Sequence, residues 1–425
     1  MSLIETKWEQ IFVKHDILNS VKKDGFFNIT ATEINKFREA RLMTKFDHKV
    51  NLPKIFKDNN LSILPLTRGS YMLGNFDTYQ PITYNTNIQN IGFSLPGHID
   101  SIDSSNLYSE SSALSCAYVS GIIDDVIGED VLPTVNGRMS TGKFSFDINN
   151  IVNGNSYPIS VSNSQCEIDG GYESINKFAV IEAKNFTSDD FLIRQLYYPY
   201  RLWQSKLSKE VIPIFMTYSN DIFSFFTYNF NDCLKYNSLQ LVNQKNYIIA
   251  PEQIVLNDIY DILQNVTLIA EPIVPFPQAN SFIRVIDLLG LLMENGELTK
   301  EYITLNYAFD ERQTDYYTNA GIYLGLIEKR RTISNISYII SALGKQIMAK
   351  RHKQKYLSIV KCILEHEVFN KVLREYFDTA SPVSGKRISI IMNNCFLYNI
   401  SSQDTVDRRS GTVNKWIDWI LNLQS

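Results

Sequence analysis

The sequence has few of the residues that mark several common protein classes. Its 425 residues include five cysteines without a C-x-x-C pair and five histidines without metal-ligand spacing, which argues against structural zinc and zinc enzymes. It has no run of 18 apolar residues and no apolar segment near its first residue. We therefore expect no membrane span, no signal peptide and a cytoplasmic location. A G-x-S-x-G sequence is also absent, so a serine hydrolase lacks support.

Charge is distributed unevenly along a composition that is otherwise globular, with 44% hydrophobic and 20% charged residues. The formal net charge is −4, yet residues 283–425 carry 19 basic and 15 acidic side chains. Residues 345–361 hold six lysines and arginines and no acid. A basic tail region on an acidic body is compatible with a polyanionic partner, and solvated helix faces explain the same pattern equally well.

The length suits two to four domains, and the pattern changes along the chain support four regions. Residues 1–80 combine helical spacing over 5–23 and 34–43 with two short strands around Thr67-Arg68-Gly69, and they are a candidate DNA contact. Residues 81–270 mix helices and strands, which indicates an α/β core. Within that core we expect helices over 106–127 and 189–207 and strands over 135–148, 211–217 and 222–228.

A proline-rich stretch, Glu271 to Gln278, marks a linker before a mostly helical tail. Residues 282–350 predict three helices followed by a hairpin near 326–333, which is the order of a winged helix. Residues 355–425 predict a second, less regular copy with a strand over 395–400 and a last helix from Thr412.

Residues 165–184 carry the most informative pattern in the chain. Asp169 ends one apolar-flanked segment, Gly170-Gly171 suggests a turn, and a second apolar run leads into Glu182-Ala183-Lys184. Side chains alternate along a strand, so Glu182 and Lys184 share a face while Ala183 packs into the sheet. Two carboxylates and one ammonium at adjacent strand ends can hold a divalent metal and activate water against a phosphodiester. A surface Glu-Lys pair is the alternative reading, and Glu5-Thr6-Lys7 and Asp47-His48-Lys49 match the same three-residue pattern.

The block from Gln165 to Lys184, with the segment FLIRQLYY that follows, resembles the PD-(D/E)XK nuclease superfamily, in particular Type II restriction endonucleases. The resemblance implies a mixed-sheet α/β nuclease core between a helical N-terminal region and winged-helix-like C-terminal domains. It implies that Asp169, Glu182 and the backbone of Ala183 ligate Mg²⁺ and that Lys184 orients or deprotonates the attacking water. Ile168 stands where the superfamily has proline.

The resemblance also suggests two further catalytic residues. Members often carry one more acid on a preceding helix, for which Glu110 is the nearest match. Some branches have Gln-x-x-x-Tyr on the following helix; Gln195 is present here, and Pro199 replaces the tyrosine. A rival pattern, Gly137 to Lys143, approaches a P-loop but has Phe144 where Ser or Thr should bind Mg²⁺, and strand-like alternation follows it.

An enzyme that cuts duplex DNA needs phosphate contacts for affinity and base contacts for specificity. The tail supplies candidates on its third helix, on the hairpin and near the last helix, and packing or dimerisation is the alternative role for these elements. The candidate DNA-binding residues are Arg312, Gln313, Thr314, Tyr317, Lys329, Arg330, Arg331, Arg408, Arg409, Thr412, Asn414 and Lys415.

Three functions follow from these patterns. The favoured one is a Mg²⁺-dependent, sequence-specific endonuclease of double-stranded DNA, of the kind found in restriction-modification systems. The others are a modification-dependent nuclease that reads methylated DNA, and a winged-helix DNA-binding regulator with an inactive nuclease fold. Cutting both strands with one active site per chain is compatible with a homodimer and with a monomer that nicks twice.

Overall fold

Helices and strands are mixed along the chain, so the expected α/β class is confirmed. The computed structural model describes residues 3–85, 87–249, 254–331, 335–350, 352–400 and 402–423. Among these residues, no helix combines the length and the apolarity that a bilayer span requires.

The N-terminal region packs five short helices against a three-stranded antiparallel sheet of order β1-β3-β2. Trp8, Phe12 and Phe56 meet edge to face at its centre. Its elements are α1 (Leu3–His15), α2 (Ile17–Asp24), β1 (Phe26–Thr30), α3 (Ala31–Asn35), α4 (Ala40–Met43), α5 (Lys54–Asp58), β2 (Ser62–Pro65) and β3 (Ser70–Gly74).

Two helices that we expected to be continuous are each broken in this region. Asp16 adopts a left-handed backbone with φ 48° and separates α1 from α2. The side chain of Asn35 accepts a hydrogen bond from the Ala40 amide at 2.7 Å, which turns the chain between α3 and α4. Thr30 and Glu33 form a capping box at the start of α3.

A seven-stranded mixed sheet of order β5-β14-β13-β12-β10-β9-β6 forms the central core, with β10 parallel to β12 and β14 parallel to β5. The elements are β4 (Tyr79–Pro81), β5 (Asn90–Phe93), α6 (Glu110–Val119), α7 (Ile122–Ile127), β6 (Leu132–Ser140), β7 (Lys143–Asn149), β8 (Ser156–Ser162), β9 (Gln165–Glu173), β10 (Lys177–Lys184), β11 (Asp190–Leu192), α8 (Arg194–Gln204), β12 (Glu210–Ser219), β13 (Ile222–Phe230) and β14 (Leu239–Ile249).

Helices cover both faces of this sheet, because the side chains of its central strands are apolar in both directions. On one face, Ala179 and Ile181 of β10 pack with residues of α6 and α7. On the other face, α8 packs through Leu196 and its tyrosines, and Trp203 lies 4.9 Å from the ring of Phe178. The strand β10 therefore lies between α6 on one face of the sheet and α8 on the other.

The expected turn at Gly170-Gly171 is wrong, because β9 continues through both glycines. Gly170 pairs with Ile181 and Gly171 with Val180, and the chain reverses only at residues 174–176. A Cβ atom at Gly171 would lie 3.0 Å from Val135, and one at Gly170 would lie 2.6 Å from the ring of Tyr172. The glycines thus permit close packing within the sheet rather than a reversal of the chain.

Other boundaries in the core also differ from expectation. The helix expected over 106–127 begins at Glu110 and is divided at Gly121, whose φ is 83°. The helix expected over 189–207 begins at Arg194 after the short strand β11. The P-loop-like segment runs from β6 through the connection to β7, a strand of a different sheet, with Lys143 beginning β7 and no helix after it, so it lacks the helix N-terminus that cradles phosphate.

The tail begins with helix α9, which packs on helices α14 and α15, and continues after residues 266–281, which contain no helix or strand. It contains a three-stranded sheet of order β15-β17-β16, whose first strand in the chain precedes two of the helices and whose other two strands follow them. The elements are α9 (Leu256–Asn265), α10 (Phe282–Asn295), β15 (Leu298–Thr299), α11 (Lys300–Asn306), α12 (Glu311–Tyr323), β16 (Ile327–Arg331), β17 (Ile336–Ile340), α13 (Ala342–Met348), α14 (His352–Leu364), α15 (Glu367–Thr379), α16 (Gly385–Asn393) and α17 (Gln403–Leu421).

The prediction that residues 355–425 repeat the unit of helices and strands is wrong. Residues 395–400 form no strand, and the last helix begins at Gln403, capped by Ser402, nine residues earlier than expected. Trp416 of this helix is buried, and its indole donates a hydrogen bond to the Ala279 carbonyl at 2.7 Å. The C-terminal part is a helical layer packed on the preceding unit.

Candidate active site

The C-terminal end of β10 places Glu182 and Lys184 on one face, as strand alternation requires. Both are almost fully buried, with side chains 7% and 11% exposed. The ammonium Nζ of Lys184 lies 2.5 Å from Glu182 Oε1 and donates to the Ala183 carbonyl at 2.9 Å. The Ala183 side chain points the other way into the apolar layer under α6. The Lys184 ammonium therefore links the Glu182 carboxylate to the Ala183 carbonyl.

Asp169 comes to the same place from the neighbouring strand. It follows Ile168 on β9 and precedes Gly170, which pairs with Ile181 of β10. Its Oδ2 accepts a hydrogen bond from the Ala183 amide at 2.8 Å. The expected convergence of residues 169, 182 and 184 is present, although the register that produces it comes from strand pairing and not from a Gly-Gly turn.

The two residues added by resemblance also reach this point. Glu110 is the first residue of α6, and its Oε1 lies 3.7 Å from the Lys184 ammonium. Gln195, in the first turn of α8, donates through Nε2 to Glu182 Oε1. Its other amide atom, Oε1, is buried and has no hydrogen-bond partner among the described residues. All five expected catalytic residues thus lie in one cluster.

Burial, together with an excess of carboxyl groups over cations, raises the pKa of the acids in the cluster. Burial raises the pKa of Glu110 to about 7, against the opposing effect of Lys184. Burial, and the neighbouring Asp169 charge, hold the pKa of Glu182 well above its usual range, and burial also raises the pKa of Asp169. For Lys184 burial alone would lower the pKa, but the surrounding carboxylates outweigh it and raise the pKa. A second cation would relieve this excess of negative charge.

The donor atoms suit a hard divalent cation, which prefers oxygen ligands. They are the carboxylates of Asp169 and Glu182, the Ala183 carbonyl and the unpartnered amide oxygen of Gln195. Within the described part of the chain, no three His, Cys, Asp or Glu side chains are grouped closely enough to be a ready-made metal cage. The Lys184 ammonium occupies the position between the carboxylates, so the chemistry of the donors fits Mg²⁺ while their arrangement is that of a lysine-bridged cluster.

An open cleft of about 650 Å³ lies over the cluster. Its floor includes Glu110, Asp169, Glu182, Lys184 and Gln195. Side chains of the N-terminal region and two residues of α11 form much of its wall, which sequence reasoning did not assign to the site. The polar or charged N-terminal lining residues are Arg41, Thr44, Lys45, Asp47, His48, Thr67, Arg68, Tyr71 and Tyr79.

One of the sequence patterns named above falls on this wall. Asp47-His48-Lys49 is one of the two Asp/Glu-x-Lys matches that lack a preceding strand. It is not a second catalytic set: His48 is buried and its Nδ1 contacts the Asp190 carbonyl at 2.9 Å, while the Lys49 amide donates to Asp190 Oδ2. The segment instead docks the N-terminal region on β11, next to helix α8, which carries Gln195.

The candidate DNA-binding residues of the tail divide into three groups by their exposure. Arg312, Lys329, Arg330, Arg331, Arg408 and Lys415 are exposed, and Gln313, Arg409 and Asn414 are partly exposed. Gln313 closes the capping box of α12 with Asp310, and Asn414 donates to Asp418. Burial, followed by the neighbouring Arg408, lowers the pKa of Arg409 to about 10. The remaining three residues are buried.

Thr314, Tyr317 and Thr412 are corrections to the expected DNA-binding set. Thr314 is fully buried and donates to the Asp310 carbonyl at 3.1 Å. Tyr317 stacks on Phe309 with ring centres 4.6 Å apart. Thr412 donates to the Asn280 side chain at 2.8 Å. These polar side chains serve the packing of the tail and are not available to bases.

The lysine-rich run over residues 345–361 is also used internally. Lys355 is buried and lies 3.0 Å from Asp221 of the central core, and Lys353 lies 2.9 Å from Asp258 of α9. These ion pairs attach the helical tail to neighbouring elements, so the absence of acids within the run reflects partners elsewhere in the chain.

Three family models match the chain in succession, and each is described as a domain of unknown function. They are DUF6996 over residues 5–73, DUF6997 over 74–248 and DUF7226 over 284–425. The five clustered residues from Glu110 to Gln195 all fall within the DUF6997 match. No curated protein and no solved structure matches the chain significantly. The chemistry of the cluster is therefore argued from its own atoms.

Proposed function

We propose that the protein is a Mg²⁺-dependent endonuclease that hydrolyses phosphodiester bonds of double-stranded DNA at specific sites, a Type II restriction enzyme of the PD-(D/E)XK superfamily. The observation that carries this proposal is the convergence of Asp169, Glu182 and Lys184 on adjacent strands at the floor of an open cleft. Gln195 and Glu110 complete an arrangement in which every side chain suits phosphoryl chemistry.

Each residue has a role that follows from its contacts. Asp169, Glu182 and the Ala183 carbonyl would hold Mg²⁺, which stabilises negative charge on the phosphate when bound. The Ala183 amide fixes the orientation of Asp169 through the hydrogen bond at 2.8 Å, and Gln195 fixes Glu182. Lys184 supplies the one ammonium of the cluster to the attacking water or to the phosphate oxygens. The burial of Glu182 and Lys184 excludes bulk water from these contacts.

The tail supports DNA as the substrate. The order α10, β15, α11, α12, β16, β17 with sheet order β15-β17-β16 supports a winged helix, in which α12 would be the recognition helix. Arg312 is exposed in the first turn of that helix, and Lys329, Arg330 and Arg331 are exposed on the β16–β17 wing. Exposed arginines and lysines at these two places suit base edges and phosphates.

The five cysteines are free and so suit the reducing cytoplasm, where a restriction enzyme would meet incoming DNA. One cluster per chain would cut both strands either as a homodimer or by two successive nicks. The choice between unmodified and methylated DNA depends on base contacts that belong to the recognition surface, so both substrates enter the test.

The test is incubation of the full chain with bacteriophage DNA and Mg²⁺, followed by sequencing of the fragment ends. We expect discrete fragments with 5′-phosphates and one repeated sequence at their ends. Methylated and unmethylated preparations run in parallel separate restriction of unmodified DNA from modification-dependent cutting. A smear would remove the site-specific proposal, and intact DNA that is nevertheless shifted in a gel would favour a non-catalytic regulator.

Two variants make this test specific. Asp169→Asn should reduce cleavage by at least about 100-fold, the upper end of the cost of disturbing a metal site. Lys7→Ala is the matched control, because Glu5-Thr6-Lys7 has the same sequence pattern on helix α1, outside the cleft. Equal activity of the two variants would show that the cleavage does not come from this cluster.

A further inference from the structure

The cleft over the cluster has walls from different parts of the chain. The nuclease-like core contributes Arg138 and Arg194, and the N-terminal region contributes Arg41 from α4 and Arg68 from the turn between β2 and β3. A phosphodiester that reached Lys184 would pass between these walls. The charges of the wall residues therefore determine whether a polyanion such as DNA can enter the cleft.

Several cations of the N-terminal region already have partners. Arg38 pairs with Glu301 at 2.9 Å, Lys54 pairs with Asp58, and Lys45 donates to Asn306 at 2.9 Å. Arg41 and Arg68 are exposed, and within the described residues neither has a hydrogen bond or an ion pair. Across the cleft, Arg138 pairs with Glu167 at 3.1 Å. Of the N-terminal cations that line the cleft, Lys45 donates to Asn306, whereas Arg41 and Arg68 have no such partner among the described residues.

The N-terminal wall is held in place by contacts to both neighbouring parts. Toward the core, buried His48 contacts Asp190, and Tyr79 donates to the Phe46 carbonyl at 2.7 Å. Toward the tail, Asn51 donates to the Thr304 carbonyl at 2.8 Å and Arg38 pairs with Glu301. Because these contacts already fix the backbone of the wall, DNA binding has to order only the two arginine side chains, whose planar guanidinium groups match phosphate oxygens.

We propose that the N-terminal region forms a phosphate-binding wall of the cleft, in which Arg41 and Arg68 contact the backbone of duplex DNA on either side of the phosphate presented to Lys184. The floor of the cleft is rich in carboxylates, which repel a polyanion, and two unpaired guanidinium groups above it offset that repulsion. The inference deepens the proposed function, since it assigns the substrate contacts of the same site. It places a DNA contact in the N-terminal region in addition to the tail.

The experiment measures binding separately from cutting. Full-length protein is titrated against a labelled mixed-sequence DNA duplex without divalent metal, over a range of salt concentrations. The Arg41→Glu/Arg68→Glu variant should bind at least about tenfold more weakly, and the slope of log affinity against log salt should fall by roughly 2, at about 0.9 per lost phosphate contact. Arg41→Ala/Arg68→Ala should show the same change in slope with a smaller loss of affinity.

The matched control is Lys22→Glu/Lys23→Glu, which makes the same charge change at exposed positions of α2 outside the cleft. It should keep the wild-type slope. Equal losses in the two charge-reversal variants, unchanged binding after the arginine changes, or a wild type that does not bind duplex would each overturn the phosphate wall. Binding that depends on Arg41 and Arg68 without any cutting would overturn the nuclease proposal alone, and cutting that ignores these arginines would overturn only the wall.

Discussion

Lys184 donates a hydrogen bond to Glu182 across 2.5 Å, and both side chains are almost completely removed from solvent. A buried ion pair contributes little net stability when compared with apolar residues, but the loss of one partner leaves an unpaired buried charge. The pair therefore has two separable effects, one on folding and one on chemistry, and the two can be measured in the same variants.

Lys184→Met should destabilise the fold by about 3 kcal/mol, because Glu182 then remains buried without its cation. The double variant Glu182→Gln/Lys184→Met should regain part of that loss, since residue 182 is then neutral, while Glu110 and Asp169 still lack the ammonium. Neither variant should cut DNA. Urea unfolding at neutral pH measures the first effect, and the plasmid assay measures the second. A double variant as unstable as Lys184→Met would contradict the ion-pair account, and retained cutting by either would contradict the role of Lys184.

Gln195 is expected to act as a positioning residue, since it donates to Glu182 and keeps its own Oε1 free of partners. Gln195→Leu should raise the Mg²⁺ concentration for half-maximal cleavage by about 10- to 100-fold, the usual cost of losing a partner of a metal ligand. Binding of duplex without metal should not change. Gln204→Leu, on the last turn of the same helix and outside the cleft, is the control. An unchanged Mg²⁺ dependence would show that Gln195 serves only packing.

The placement of Glu182 and Lys184 on β10 was predictable because the pattern that determines it is local in the sequence. Two-residue alternation places Glu182 and Lys184 together whatever the surrounding fold, and an acid upstream suffices to suggest the partner strand. Glu110 and Gln195 came only by resemblance, because no spacing relates the first turns of two helices to a strand end. The N-terminal wall depends on the docking of His48 against Asp190, 142 residues away, and such a contact has no periodicity to read.

Gly170 and Gly171 show where local reasoning failed in the fold. Adjacent glycines usually indicate a turn, yet here both pair with β10 in the middle of the sheet. Gly171→Ala should cost about 1–3 kcal/mol, because the new methyl group would meet Val135 at 3.0 Å. Gly69→Ala, in the exposed turn where no atom lies within 4 Å of an added Cβ, should change stability by less than about 0.5 kcal/mol. Thermal unfolding compares them, and similar losses would argue against the packing explanation.

Thr314 and Arg312 lie two residues apart on α12 and should behave in opposite ways. Thr314 is buried and bonded to the Asp310 carbonyl, so Thr314→Ala should cost about 1–2 kcal/mol of stability without changing DNA affinity. Arg312 is exposed, so Arg312→Ala should weaken duplex binding and leave the stability nearly unchanged. Denaturant unfolding and duplex titration of both variants decide the matter. If Thr314→Ala bound duplex DNA more weakly while its stability equalled that of the wild type, Thr314 would again be a candidate DNA-binding residue.

Asp287 should make the free energy of unfolding depend on pH, and this effect does not involve the candidate active site. Its carboxylate lies between α10 and the central sheet, accepting from the Ser219 hydroxyl at 2.7 Å and the Thr187 amide at 3.0 Å. Burial raises its pKa from 3.8 to about 7, although these hydrogen bonds oppose the change. The folded protein thus holds a proton that the unfolded chain releases, and stability from this group is present at low pH and is lost as pH rises through about 7.

Asp287→Asn removes this titration while keeping a carbonyl oxygen for the Thr187 amide. The free energy of unfolding of the wild type should therefore fall relative to the variant between the usual aspartate pKa of 3.8 and about 7, and the difference should be constant above that range. Glu110 and Glu271, whose pKa values burial also raises to about 7, are common to both proteins, so their contributions cancel in the difference. Urea unfolding at several pH values measures it, and parallel curves would contradict a neutral Asp287 in the fold.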